Sequence, residues 1–155
     1  MGKKEQDFGV HTDLICHHSP YFKAAFTSGF EEAKTGMMKL PEAEIETFQL
    51  FYDWLYAQTL WDQKDDKADW PREWQLVRLY VFADMASITS LMNQCLETMN
   101  IISNACGKIQ MSCSHYVWEN TLIGSPLRRF MIDRAIWELD SSSFLEFPEN
   151  FKKEF

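Results

Sequence analysis

Phe8-Gly9-Val10-His11, the run Thr12 to Phe30, and Glu31-Glu32 through Met37-Met38-Lys39-Leu40-Pro41 together decide how this chain is read. Residues 8–11 alternate weakly, and a strand this short needs a partner. Met37 to Leu40 is the candidate partner. Between the two, Leu14 and Ile15 make an apolar step. Ser19-Pro20 then supplies an N-cap and a proline at the first helical position, where its missing N–H costs nothing. Tyr21, Phe22, Ala25 and Phe26 recur at helical spacing, and Ser28-Gly29 stops the helix. Phe30 to Gly36 reads as a charged connection into the second strand. A strand–helix–strand unit in under forty residues predicts an α+β fold, mostly helical, with a small β-sheet capping a helical cluster.

Beyond Pro41 the pattern is helical. Glu42, Glu44 and Glu46 place acid at a helix start, where the macrodipole favours it. Ile45, Phe48, Tyr52 and Leu55 then mark a stripe, widened by Phe51, Trp54 and Tyr56, that ends near Ala57. Residues 58–71 are charged and without apolar period, a solvated loop. Pro71 is placed as the first residue of a helix with Trp74, Leu76, Val77, Tyr80 and Val81 on its apolar face, ending at Ala83-Asp84-Met85. Ile88-Thr89-Ser90 offers a cap for a helix carrying Leu91, Cys95, Leu96 and Met99 to about Ala105, with Gly107 as its stop. His115 to Glu119 suggests a short helix. Gly124-Ser125-Pro126 repeats the cap-then-proline start ahead of Leu127, Phe130, Met131, Ala135, Ile136 and Leu139, and Asp140 to Ser143 end that helix.

The chain has 155 residues, 46% of them apolar and 15% aromatic, enough to form a core without metal or disulfide. Its 15 Lys and Arg against 23 Asp and Glu give a formal charge of -8. That balance disfavours nucleic acid and anionic membrane surfaces, which are held by basic side chains. No stretch is long and apolar enough for a membrane span, and the first residues lack the apolar core of a signal peptide, so an intracellular location, cytoplasm or nucleus, is expected. Cys16, Cys95, Cys106 and Cys113 are expected as reduced thiols, since each sits in or beside an apolar pattern.

These residues resemble the front half of a BTB (POZ) domain. The family pattern F-x-V-H-K-x-x-L, S-x-x-F, an acidic corner and a strand ending in L-P is matched by Phe8 to Ile15, Ser19 to Phe22 with Phe26, Glu31-Glu32, and Met38 to Pro41. Phe48, Phe51, Trp54, Leu55 and Tyr56 are similar to the family's second helix, with its closing turn at Tyr56-Ala57-Gln58-Thr59. Leu79 to Asp84 resembles a further helix, and Ile88 to Met99 the closing pair. The resemblance covers roughly 8 to 105, giving a BTB domain over 1–105 and a helical C-terminal extension over 106–155 whose style is similar to short fungal members. The family places a further strand ahead of Phe8. Residues 1–7 do not read as one, so an N-terminally shortened domain with weakened self-association is expected.

The resemblance implies a non-enzymatic protein–protein interaction module that oligomerises or acts as an adaptor, in some members to the cullin scaffold of a ubiquitin ligase. Docking members carry a hydrophobic-x-Glu sequence after the first helix, and Phe30-Glu31-Glu32 fits that spelling. The partner-binding residues are therefore expected to be Phe22, Phe26, Phe30, Glu31 and Glu32, with no catalytic, cofactor or metal residues.

The same chain offers residues for competing chemistries. His11, Cys16, His17 and His18, with Cys106, Cys113 and His115, lack the paired spacing that zinc sites use. An enzyme with a Cys/His nucleophile pair, Cys113 with His115 or Cys16 with a distant histidine, is the alternative class. Such a thiol needs an electropositive, partly exposed setting that an acidic chain with 6 glycines does not advertise. Met37 and Met38 fit either an adaptable surface or core filler. Arg128-Arg129 behind Ser125-Pro126 fits either a solvated helix face or an anion site.

Overall fold

The structure, a computed structural model, describes residues 4–62, 64–107 and 111–138, with 149 and 153 singly. Eight α-helices follow one another among the described residues: α1 Thr12–His18, α2 Pro20–Thr27, α3 Glu31–Thr35, α4 Ile45–Ala57, α5 Glu73–Met85, α6 Thr89–Cys106, α7 Ser114–Asn120 and α8 Pro126–Glu138. Single 3-10 turns occupy Lys67–Asp69 and Met111–Cys113.

Helix α5 is the axis of the packing, with α6 along one side and α4 along another. It buries Leu76, Val77, Leu79, Tyr80, Phe82 and Ala83. Burial over so much of the circumference is what a central helix requires, and it explains why the helix has apolar residues nearly all round. Phe51 of α4 is the hub of an aromatic cluster: its ring centroid lies 4.9 Å from Phe82, 5.5 Å from Phe48 and 6.2 Å from Phe22. Truncating one such fully buried ring costs about 3–5 kcal/mol. The stripe on α4 is rotated from the expected one. Thr47, Phe51, Trp54 and Leu55 are buried, whereas Phe48 and Tyr52 are half-buried beneath Phe8, at 4.7 and 5.8 Å between rings.

The small sheet is not formed among the described residues. Segments 8–11 and 37–40 carry no strand, and no ladder hydrogen bond joins them. Two four-residue segments make too little pairing to stand alone. Their apolar side chains are held by packing instead: Val10, Met38 and Leu40 all rest against the core, as Phe8 rests on α4. The connection after Gly29 is also more ordered than expected, because Glu31–Thr35 is the helix α3. It closes on Gly36 at φ 66°, whose N–H donates to the Glu32 carbonyl at 2.9 Å, a left-handed stop that glycine takes without strain.

Ser19 caps α2 as its spacing suggests, accepting the Phe22 N–H at 3.2 Å. Helix α5 starts at Glu73 rather than at Pro71; Arg72 is its N-cap, and the Gln75 side chain accepts the Arg72 N–H at 2.9 Å. Helix α6 stops on Gly107 as expected. In the loop between α4 and α5, Trp61 and Trp70 meet edge to face at 4.9 Å, and the Trp70 indole donates to the Asp65 carbonyl at 3.0 Å.

Helices α7 and α8 join the same core through Val117, Trp118, Leu127, Met131 and Ala135. Ile136, expected on that face, is exposed, and Leu139 and Asp140 to Ser143 lie outside the described residues. Arg128 is not on a solvated face. It is buried, stacks over the Trp118 ring at 5.2 Å, and donates to the Thr121 hydroxyl and the Trp118 carbonyl at 3.0 Å each, and to the Thr121 carbonyl. A planar guanidinium satisfies the open carbonyl end of α7 in this way, as a lysine could not. Arg129 remains exposed.

Candidate functional site

The corner between α2 and α4 gathers the residues singled out in the sequence, at different depths. Phe22 is 2% exposed and stacks nearly parallel to Phe51, so it supports the corner from within the core. Phe26 is half-buried against that core. Phe30 is 62% exposed, and no ring contact joins it to Phe26 among the described residues. Glu31 is exposed and Glu32 half-buried, both in the first turn of α3.

Local sequence explains the presentation. Gly29 adopts φ 76°, which turns the chain away from α2. Phe30 then takes the extended N-cap conformation of α3, and its carbonyl accepts the Ala33 N–H at 3.0 Å. A phenyl ring has no acceptor with which to turn back on the first-turn N–H groups, and the Phe30 ring stays in solvent. The two carboxylates sit where the helix dipole favours them. Two exposed side chains elsewhere in this region, Tyr21 and Met37, are apolar as well. Helical spacing groups Tyr21 with the inward face of its helix, whereas the structure exposes it. One step of 100° from the buried Phe22 is the signal that separates them. Of the two methionines, Met37 faces solvent and Met38 packs inward.

The histidines make structural contacts. The Tyr56 hydroxyl bonds His11 Nδ1 at 2.8 Å and accepts the His11 N–H at 3.2 Å, tying segment 8–11 to the end of α4. The His18 ring lies edge-on to Trp54 at 5.3 Å and to His17 at 4.9 Å. Among the described residues no group of three His, Cys, Asp or Glu is placed to hold a metal ion.

Three of the four thiols are set against nucleophilic chemistry. Burial pushes Cys95 up strongly, and it pushes Cys16 and Cys113 up too, helped by Asp13 and Glu73 respectively. A catalytic thiol requires the opposite direction. No hydrogen bond joins a cysteine to a histidine among the described residues.

A BTB/POZ domain family model matches residues 1–102, and the chain belongs to that family. Among curated relatives, Kelch repeat and BTB domain-containing protein 4 of Mus musculus is 28% identical over 90 residues, 58% of this chain and 15% of the mouse protein. The Homo sapiens protein of that name is 27% identical over 90 residues, again 58% and 15%. Kelch repeat and BTB domain-containing protein 8 of Xenopus tropicalis is 28% identical over 92 residues, 59% of this chain and 14% of its own length. The chain thus spans a small fraction of the relatives it matches. No solved structure matches it. Membership of the BTB/POZ family makes this chain a protein-interaction module.

Proposed function

We propose that the chain acts as a non-enzymatic adaptor inside the cell, and that the corner Phe30-Glu31-Glu32 is its contact with a cullin-type scaffold. The observation that carries this reading is Phe30 held 62% exposed at the start of α3, beside two carboxylates in the helix's first turn. An exposed aromatic that enters an apolar pocket supplies the anchor of an interface, and adjacent carboxylates fix register and choose a basic partner. Phe26 and Phe22 serve as the support that keeps Phe30 outside. The domain responsible is residues 1–105, with 106–155 as a C-terminal extension whose helices α7 and α8 reach the same core.

The test is affinity purification from native cells, comparing wild type with Phe30→Ala/Glu32→Ala. Phe30 is exposed and Glu32 half-buried, both outside the core, and circular dichroism of the purified variant is the folding control. A cullin in the wild-type eluate that is lost from the variant supports the reading. Absence of a cullin from both eluates, or equal recovery in both, overturns it.

A further inference from the structure

Two exposed apolar pairs bracket α8. Leu122 and Ile123, in the turn that enters the helix, are 84% and 83% exposed; Ile136 and Trp137, near its other end, are 61% and 86% exposed. The exposed residues of α8 itself are Pro126, Arg129, Asp133, Ile136 and Trp137. At 100° per residue they fall in one stripe roughly 100° wide. The buried Leu127, Met131 and Ala135 lie on the opposite side.

Arg129 and Asp133 sit one turn apart in the middle of the stripe. Neither side chain pairs with the other or with any described residue. The entry turn is braced: Thr121 Oγ1 donates to the Val117 carbonyl at 2.6 Å, Ser125 N–H to the Leu122 carbonyl at 3.1 Å, and Arg128 grips the Trp118 and Thr121 carbonyls. Leu122 and Ile123 are therefore displayed by an ordered turn. A row of exposed large apolar side chains on rigid elements marks a contact surface.

We propose that this face pairs with the same face of a second copy of the chain, α8 against α8, antiparallel about a two-fold axis. The order apolar, Arg129, Asp133, apolar is self-complementary in that direction. A dyad level with residue 131 sets Arg129 opposite Asp133 of the second copy, and symmetry repeats the pair. The same operation sets Ile136 level with Pro126 of the second copy and Trp137 level with the residue before it, at the end where the Leu122-Ile123 turn enters the helix. Parallel pairing would set Arg129 against Arg129. The face lies beyond residues 1–102, outside the segment that matches the BTB/POZ family, and it does not involve the Phe30 corner.

The test is sedimentation equilibrium of the full chain over a micromolar dilution series, with circular dichroism as the folding control. Wild type is expected to move between one and two copies. Arg129→Asp and Asp133→Arg, each of which places two like-charge pairs across the dyad, should each raise the dissociation constant at least about tenfold. The double exchange Arg129→Asp/Asp133→Arg should return it to within about threefold of wild type. A wild type that stays monomeric, a dimer indifferent to both single exchanges, or a double exchange as weak as the singles overturns the proposal. Phe30→Ala/Glu32→Ala should leave the dissociation constant unchanged, so the two proposals fail separately.

Discussion

Ser19→Ala tests the packing on which the displayed corner depends. The Ser19 side chain is fully buried, and its hydroxyl does two things at once. It accepts the Phe22 N–H at 3.2 Å, and it donates to the carbonyl of Ala86 just past the end of α5, 67 residues away in the chain. Losing an N-cap costs about 1 kcal/mol. Leaving the buried Ala86 carbonyl without this donor costs about 1–3 kcal/mol more. The expected loss is therefore about 2–4 kcal/mol, or roughly 4–16 °C in Tm for a domain of this size. Urea denaturation at neutral pH measures it, with an unchanged m-value as the sign that both end states are preserved. Ser19→Asp separates the two roles, because a carboxylate keeps the acceptor for Phe22 but has no hydrogen for Ala86. It should be at least as destabilising as alanine. A loss under about 1 kcal/mol for alanine, or recovery by aspartate, would refute the reasoning, since a local cap alone accounts for such values.

Other consequences are equally direct. Arg128→Met should cost about 2–4 kcal/mol in urea titrations, because it strips donors from the buried Trp118 and Thr121 carbonyls, and Arg128→Lys should recover little of it. The His18 pKa is lowered by burial against Trp54, and secondarily by His17. The unfolded chain thus takes up the proton first, so the contribution of His18 to stability is complete above about pH 6.5 and declines as pH falls through the folded value. Urea midpoints between pH 8 and pH 5 should show that decline, and His18→Gln should flatten it. Thiol labelling under native conditions should modify exposed Cys106 first and Cys95 last. A burst of labelling at Cys113 or Cys16 would count against inert, burial-raised thiols there.

The parts of the fold legible in the sequence are those with local causes. The Ser19-Pro20 start, the stop at Gly107 and the bounds of α4 each follow from a few neighbouring residues. The expected sheet failed because a strand has no local cause of comparable strength. Segments 8–11 and 37–40 have the alternation, but pairing depends on register and on neighbours that alternation does not specify. Arg128 departs from both expected settings for a related reason: an Arg-Arg pair at a helix start looks solvated until the open carbonyl end of α7 comes beside it.

At the corner, the sequence by itself determined the identities and the order: an aromatic behind a glycine, then two carboxylates in a charged connection that only the structure shows as the helix α3. It also determined the family, because those residues recur at family spacing. Only the tertiary structure decided depth. Phe22, Phe26 and Phe30 are spaced four apart and look alike as a string, yet one is core, one is half-covered and one stands in solvent. The reason is physical. Burial depends on what arrives from elsewhere in the chain, and the rings of Phe51 and Phe82 arrive over Phe22.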